Sequence, residues 1–493
     1  MKSVLKLVNA ALPLRDETRL YTLIAEDGVW TSVEPQIREA APGPGEAATG
    51  GRGGAEPERP PAGGLVSAEP ELVAPGRRDG SAAELVTPDR WDGRSPEPGR
   101  PLCLDAEGRT VLPAFADAHM HLDKAFSLPQ VGNASGTLEE AIANYASAVP
   151  AFSKEELKAR IVRSALQAVS FGTTAIRTHL DFHVRHGREV AMRGIEAALE
   201  AREELAPYVS LQLFPMLPCY DLTEEALEAG AEALRMGVTG VGGAPHIAPQ
   251  PEPEIDKLFE LAGRMGCPID LHADESDNPL VRTAAYIARK TKACGWAGRV
   301  TVGHLCSLAA MPDEDAREII ALLAEAGVGA VTLPGANLYL QGRRDPFPVR
   351  RGVTRVRELL DAGVPLAAAS DNIHDPFHPF GRGDLLQIGL ITAYAAHMGS
   401  PADIRAVLRM LTEHPAAVMG LTGRAIEPGN DADFVLLDAS TPEELFSMVP
   451  ERRWVWRKGR CLKTAGSRAE WQVPALARYW EDACEKVSFR KRG

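Results

Sequence analysis

Two histidines separated by one residue, His119 and His121, are well placed in this sequence to bind a metal ion. They follow an apolar run from Thr110 to Phe115, which predicts a buried strand. Side chains of an extended segment alternate between its faces, so positions i and i+2 point the same way. Neutral imidazoles suit zinc and iron. The spacing predicts a metal site just beyond this strand, although such a pair also occurs by chance.

Further polar residues fall at the ends of other predicted strands. They are Arg177, His179, Asp181, His246, His272, Asp274, Glu275, His304, Asp371, Asn372, His374 and Asp375. A single histidine at a strand end is more often structural than a ligand. Several such residues at one end of a sheet are harder to explain in that way, because each buried imidazole or carboxylate needs a partner. A metal ion would provide that partner.

Regular alternation of strands and helices must position these residues. Strands are predicted at 111–117, 173–181, 208–217, 238–245, 268–274, 300–305, 328–335 and 364–372. Amphipathic helical segments that end at glycine separate several of these strands. Eight units over about 260 residues predict an α/β fold, a closed (β/α)8 TIM barrel with its chemistry at the C-terminal ends of the strands. An open doubly wound sheet is the alternative, but no G-x-G-x-x-G motif follows a predicted strand.

The chain outside the barrel falls into three segments. We expect the barrel over residues 106–420, with short β-like runs in residues 1–34 and 421–493. Residues 35–105 are rich in glycine and proline. Because this composition buries little apolar surface, we expect a flexible insertion there.

Composition narrows the class of protein. The formal charge of −13, without a basic face, argues against a nucleic-acid partner. Seven cysteines without a C-x-x-C pair favour a reducing, cytoplasmic setting. The N-terminus is not expected to be a signal peptide, and no apolar run reaches the roughly 18 residues of a membrane span.

Eight motifs resemble, in their order, those of the amidohydrolase superfamily and specifically its cytosine deaminase-like branch. They are AHMHLDK, NASGTLEEAI, RTHLD, GGAPH, IDLHADE, VTVGHL, ASDNIHDPFHPFGRGDLLQ and GNDADFVLLD. The resemblance covers most of residues 111–460. It implies a small β-sandwich domain formed from both chain ends, and it implies a homo-oligomer, because family members commonly assemble.

The resemblance also implies a site for one divalent metal ion, Zn²⁺ or Fe²⁺. Its ligands would be His119, His121, His272 and Asp371. The motif GGAPH offers no lysine at the end of the fourth strand, where family members with two metals carry a carbamylated lysine.

Three residues would perform the proton transfers that the resemblance implies. Asp371 would accept a proton from the metal-activated water, and His304 would orient the hydroxide or stabilise developing charge. Glu275 would protonate a ring nitrogen and then assist the leaving group. From the residues alone, Glu275 could instead be an exposed loop carboxylate, His304 a structural histidine and Asp371 a helix N-cap.

The sequence departs from cytosine deaminase at positions that would contact the substrate. Where that enzyme has a glutamine after the third strand, this chain has Pro218 and Cys219. Asn372 stands for an aspartate, Phe377 for a tryptophan and Lys124 for a threonine. We expect a pocket lined by Lys124, Cys219, His246, Asn372 and Phe377. A site with these changes is not expected to be specific for cytosine.

The predicted function is metal-dependent deamination of an amino-substituted nitrogen heterocycle, a small molecule such as a pyrimidine or triazine. One alternative is opening of a cyclic amide or imide, or N-dealkylation, by the same metal site. A catalytically inactive barrel that serves as a scaffold is a further alternative. The intact ligand set and Glu275 argue against it, because a scaffold does not need them.

Overall fold

The computed structural model describes residues 1–36, 85–88, 90–466 and 470–487, and two β-sheets organise this part of the chain. The strands are β1 Val4–Leu12, β2 Asp16–Glu26, β3 Val29–Pro35, β4 Leu85–Val86, β5 Leu102–Asp105, β6 Thr110–Pro113, β7 Phe115–Met120, β8 Thr173–Asp181, β9 Ser210–Leu217, β10 Val241–Gly243, β11 Ile269–Ala273, β12 Val300–His304, β13 Gly329–Thr332, β14 Leu366–Ala368, β15 Phe434–Leu437, β16 Arg452–Arg457 and β17 Arg460–Thr464.

The described part of the chain contains fourteen α-helices, several of which pack against the parallel sheet. They are α1 Leu138–Ala148, α2 Lys154–Ser170, α3 Arg188–Leu205, α4 Glu224–Met236, α5 Pro251–Met265, α6 Thr283–Cys294, α7 Asp313–Ala326, α8 Pro334–Leu340, α9 Val356–Asp361, α10 Leu385–Ala395, α11 Pro401–Leu411, α12 Glu413–Val418, α13 Pro442–Met448 and α14 Pro474–Lys486. The expected glycine ends are present at Gly237, Gly266 and Gly327, each in the left-handed conformation that lets a helix stop. Among the described residues, no helix is both long and apolar enough to cross a membrane.

The eight strands β7 to β14 form one parallel sheet in sequential order. The backbone N–H of Asp371, just after β14, donates to the carbonyl of His119 on β7 at 2.9 Å, which joins the last strand to the first. The predicted (β/α)8 barrel is therefore confirmed. The strands are shorter than predicted in several places, because the chain turns away from the sheet before the polar residues that follow β10 and β14.

A separate mixed sheet forms the β domain, with strands from both chain ends. Its strand order is β17-β16-β15-β6-β1-β2-β3, and β5 pairs with both β1 and β4. Most of the expected insertion at 35–105 lies outside the described residues. Its last part is an ordered portion of this sheet, since β5 pairs with β1 from Leu5 to Val8.

The apolar run from Thr110 to Phe115, predicted as one strand, is divided between the two sheets. The first part, β6, pairs with β15 of the β domain, whereas Phe115 N–H donates to Gly172 O at the start of the barrel. Val111 packs in the β-domain core and Leu112 in the barrel core. Because both faces of the run are buried, its hydrophobic pattern does not reveal the change of sheet. As a result, His119 lies within the barrel strand β7 instead of beyond its end.

Candidate metal centre and active site

Four side-chain atoms converge at the C-terminal end of the barrel. Nε2 of His272 lies 3.2 Å from Nε2 of His119 and 3.2 Å from Nε2 of His121. Oδ1 of Asp371 lies 3.3 Å from Nε2 of His121 and 3.7 Å from Nε2 of His119. Tetrahedral ligands about 2.0–2.1 Å from one ion would stand about 3.4 Å apart. The four atoms therefore fit one divalent metal ion.

The protonation states of these residues suit metal binding. Burial holds the pKa of His119, His121 and His272 well below the usual histidine value, so the imidazoles are neutral at neutral pH. The atom Oδ1 of Asp371 is buried and has no hydrogen-bond partner among the described residues. A buried acceptor without a partner is costly, and a cation at this point would satisfy it.

Backbone contacts hold the ligands in place. His121 donates from Nδ1 to the carbonyl of His179 at 3.2 Å, which leaves Nε2 free for a metal. Asp371 adopts a left-handed φ of 61°, so the chain turns there and carries the carboxylate over the barrel mouth. Asp371 is therefore not the N-cap of a helix, since α10 begins only at Leu385.

Glu275 and His304 lie together beside the four ligands. Oε1 of Glu275 is 3.5 Å from Nδ1 of His304, and the Asn337 amide donates to the same Nδ1 at 3.0 Å. His304 accordingly holds its proton on Nε2. Burial, with a smaller contribution from the charge of Asp371, raises the pKa of Glu275 to about 8. Its side chain is only 10% exposed, so Glu275 is a buried acid at neutral pH and not a solvated loop carboxylate.

A cavity with about 930 Å³ of empty space, including its open mouth, leads to these residues. All five residues expected to contact a substrate line it, namely Lys124, Cys219, His246, Asn372 and Phe377. Their contacts with a substrate stay predictions. Apolar side chains cover much of the remaining wall, among them Leu138, Ile142, Phe182, Met216 and Leu340.

Three of these residues already use polar atoms in hydrogen bonds within the protein. Burial raises the pKa of the Cys219 thiol to about 12, and the thiol donates to Leu217 O at 3.4 Å. The thiol is therefore uncharged at neutral pH, and its hydrogen already has an acceptor. His246 bonds His272 O through Nδ1 at 3.0 Å, and burial lowers its pKa to about 4. Asn372 donates to Asp375 at 2.7 Å.

Five of the predicted strand-end residues do not line the cavity, namely Arg177, His179, Asp274, His374 and Asp375. The carboxylate of Asp274 accepts from the backbone N–H of Thr283 at 2.7 Å, at the start of α6. His374 is exposed, and its Nδ1 bonds the carbonyl of Pro379. A side chain at a strand end serves either the site or the loop, and the sequence does not distinguish the two.

One buried carboxylate beneath the site was missed. Asp270 accepts from Arg177 at 2.6 Å and lies 3.5 Å from Nε2 of His179. Its position two residues before His272 on β11 was the available signal, because both side chains share one face of the strand. Asp270, His179 and His119 could also surround an ion. Arg177 already neutralises that carboxylate, so we assign Arg177, Asp270 and His179 to support of the candidate ligand His119.

Comparison with known proteins shows where this architecture recurs. Residues 130–462 match the Amidohydrolase family. Pterin deaminase of Rhizobium rhizogenes is 35% identical over 363 residues, which cover 73% of this chain and 82% of that protein. N-isopropylammelide isopropyl amidohydrolase of a Pseudomonas species is 31% identical over 370 residues, 73% of this chain and 87% of that protein. The crystal structure of 5-methylcytosine deaminase from Klebsiella pneumoniae superposes with a TM-score of 0.77 at 25% identity, covering 95% of this chain and 100% of that one.

Proposed function

This chain belongs to the amidohydrolase family, and from that premise we propose that it hydrolyses the exocyclic C–N bond of an amino-substituted nitrogen heterocycle and releases ammonia. The main support is the convergence of three neutral imidazoles and one carboxylate beside a protonated glutamate in a single cavity. Two of the similar proteins are, by name, deaminases of a pterin and of a pyrimidine.

We propose that His119, His121, His272 and Asp371 hold one divalent ion, Zn²⁺ or Fe²⁺. Three imidazoles and a carboxylate suit either ion. A bound ion of this kind lowers the pKa of water, so that hydroxide is available near neutral pH. A single ion is favoured because Ala244, Pro245 and His246 follow β10, with no lysine among them.

The side chains around the ligands account for the proton transfers. Asp371 accepts a proton from the attacking water as oxygen adds to the ring carbon that bears the amino group. Glu275, protonated at neutral pH, gives its proton to the adjacent ring nitrogen. The N–H of His304 at Nε2 stabilises the charge that develops on the added oxygen. Asp371 then returns its proton to the amino nitrogen, and Glu275 takes the proton of the added hydroxyl. The C–N bond breaks, and ammonia leaves as the carbonyl forms.

The five residues that line the cavity would fix the heterocycle. We propose that Phe377 packs on the ring and that Lys124, His246 and Asn372 contact its polar edge. Cys219 would give only an apolar contact, since its thiol is neutral and donates to Leu217. Cytosine deaminase has a glutamine at this part of the cavity, and its amide is missing here, which supports a substrate other than cytosine.

A second candidate is hydrolytic removal of an alkylamino group. The similarity to N-isopropylammelide isopropyl amidohydrolase supports it, and so does the apolar part of the cavity, where an alkyl group would fit. This reaction would release an alkylamine in place of ammonia. Opening of a cyclic amide ring is less supported by these relatives.

The test is metal analysis of the purified protein together with a screen for release of ammonia or alkylamine from pyrimidines, triazines, purines and pterins that carry an amino or an alkylamino group. We expect about one equivalent of zinc or iron per chain and ammonia from at least one class. Alkylamine without ammonia would favour the second candidate. A metal-loaded protein that releases neither product from any compound would contradict both.

We also propose that the protein is cytoplasmic, assembles as a homo-oligomer and has no nucleic-acid partner. All seven cysteines are free thiols, which supports a reducing compartment. The formal charge of −13 is unfavourable for contact with a phosphate backbone.

A further inference from the structure

A buried ion pair forms part of the cavity wall. Nζ of Lys124 lies 2.9 Å from Oδ1 of Asp181, and the two side chains are 6% and 13% exposed. Both residues line the cavity. Oδ2 of Asp181 also lies 3.1 Å from Nε2 of His183. On its other side, the ammonium of Lys124 is 4.6 Å from the centre of the Phe377 ring.

Both partners of this pair are charged at neutral pH. Burial opposes the charge on Lys124, but Asp181 and Asp123 outweigh it and raise the pKa of the ammonium. Burial likewise opposes the charge on Asp181, yet Lys124 and His183 hold its pKa well below the usual value. The two opposite charges lie side by side, so the pair offers directed, charge-assisted hydrogen bonds to a substrate.

Each partner keeps unused hydrogen-bonding capacity. An ammonium has three N–H donors, and a carboxylate has about four acceptor positions. Among the described residues, Asp181 is the polar side chain paired with Lys124, while Asp181 accepts from Lys124 and His183. A donor and an acceptor therefore stand side by side on the wall of the cavity that contains Glu275 and Asp371.

We propose that the Lys124–Asp181 pair recognises the lactam edge of the substrate, with the carbonyl oxygen accepting from Lys124 and the adjacent ring N–H donating to Asp181. This inference rests on the proposed function and narrows its substrate class to amino-oxo heterocycles. A lactam presents an acceptor and a donor on neighbouring atoms, which matches the donor and the acceptor of the pair. A diamino heterocycle presents the inverse pattern, a donor towards the ammonium and an acceptor towards the carboxylate, so neither charged group would gain a hydrogen bond from it.

The experiment compares matched substrates that differ only at this edge. The pairs are pterin with 2,4-diaminopteridine, guanine with 2,6-diaminopurine, and isocytosine with 2,4-diaminopyrimidine. For whichever pair the metal-loaded wild-type protein deaminates, we expect kcat/KM to favour the amino-oxo member by about 100-fold or more. Lys124→Met and Asp181→Asn should each reduce that preference by about tenfold or more, because each removes one directed contact.

The matched control is Lys292→Met, which removes a lysine from an exposed pair with Glu325 at 3.0 Å. The Lys292→Met variant should prefer the amino-oxo substrate to the same extent as the wild-type protein. Metal content is measured for every variant, so that damage to the metal centre is not taken for a loss of specificity. If the ion pair has a purely structural role, its loss should lower kcat/KM for the amino-oxo and the diamino substrate together and leave the ratio of the two values unchanged.

The outcomes separate this inference from the proposed function. No ammonia from any compound would contradict the proposed function itself. Ammonia from both members of a pair at equal rates, or an unchanged ratio in both variants, would overturn only the lactam assignment. If the variants lose their metal, the lactam assignment is tested instead by inhibition of the wild-type protein. A lactam without the amino group must then inhibit about tenfold better than its O-methyl ether, which has no ring N–H, and equal inhibition would overturn the assignment.

Discussion

At the scale of single residues, the proposed function gives Asp371 two tasks, to bind the ion and to accept a proton. Asp371→Asn keeps the size of the side chain and the backbone N–H that bonds His119. It removes the charge and the basic oxygen, so we expect kcat to fall by about 10³-fold or more, with weaker metal binding. The measurements are steady-state kinetics and metal content. Asp361→Asn, at an exposed position on α9, serves as the control and should retain full activity.

Glu275 should give the pH profile its alkaline limb. The raised pKa of about 8 means that the acid is protonated below that pH and loses its proton above it. We expect kcat/KM to fall as pH rises and Glu275 loses its proton, at about 8 or below because a bound cation lowers the pKa of a nearby carboxyl, and the ring nitrogen then lacks a proton donor. Glu275→Gln should lower kcat by about 10²- to 10⁴-fold and remove this limb from the residual activity. An unchanged alkaline limb in that variant would assign the titration to another group.

At the scale of elements, Gly172 allows the barrel and the β domain to approach closely between α2 and β8. Its φ is +97°, and a Cβ there would lie 2.6 Å from Val435 and 3.2 Å from Phe115. Gly172→Ala should therefore lower the free energy of unfolding by about 2–4 kcal/mol through backbone strain and a steric clash. Gly266→Ala, with φ +69° and no atom within 4 Å, tests strain alone and should cost about 1 kcal/mol. Denaturant unfolding of the two variants separates these contributions.

Elements with a clear period were predictable, and contacts between elements were not. The alternation of apolar strands with amphipathic helices was sufficient for the barrel. The position of His272 at the end of β11 followed from the same pattern. The change of sheet at Ala114 was hidden, because Val111 and Leu112 are buried in different cores and read as one apolar run. The partnership of Lys124 with Asp181 was hidden for a different reason: sequence spacing carries no information on which charge of a loop meets the end of a neighbouring strand.

At the scale of the whole molecule, a buried ion pair joins the C-terminal strand β16 to the barrel. Arg452 contacts Asp384, the N-cap of α10, and also donates to the Phe171 carbonyl at 3.1 Å. Arg452→Met leaves a buried carboxylate with a weaker partner, so we expect a loss of about 3 kcal/mol in unfolding free energy. Arg382→Met, which removes a half-exposed arginine from the same Asp384, should cost no more than about 1 kcal/mol. Equal losses in the two variants would contradict this ranking.

The hydrogen bond from Asp371 N–H to the His119 carbonyl has a consequence for how the protein is made. His119 and His121 leave the ribosome about 250 residues before Asp371, and chains fold from the N-terminus during synthesis. Until the last strand docks against the first, the nascent chain presents an incomplete set of ligands in an open sheet. An ion held by all four proposed ligands would therefore be acquired only after the segment that contains Asp371 has left the ribosome.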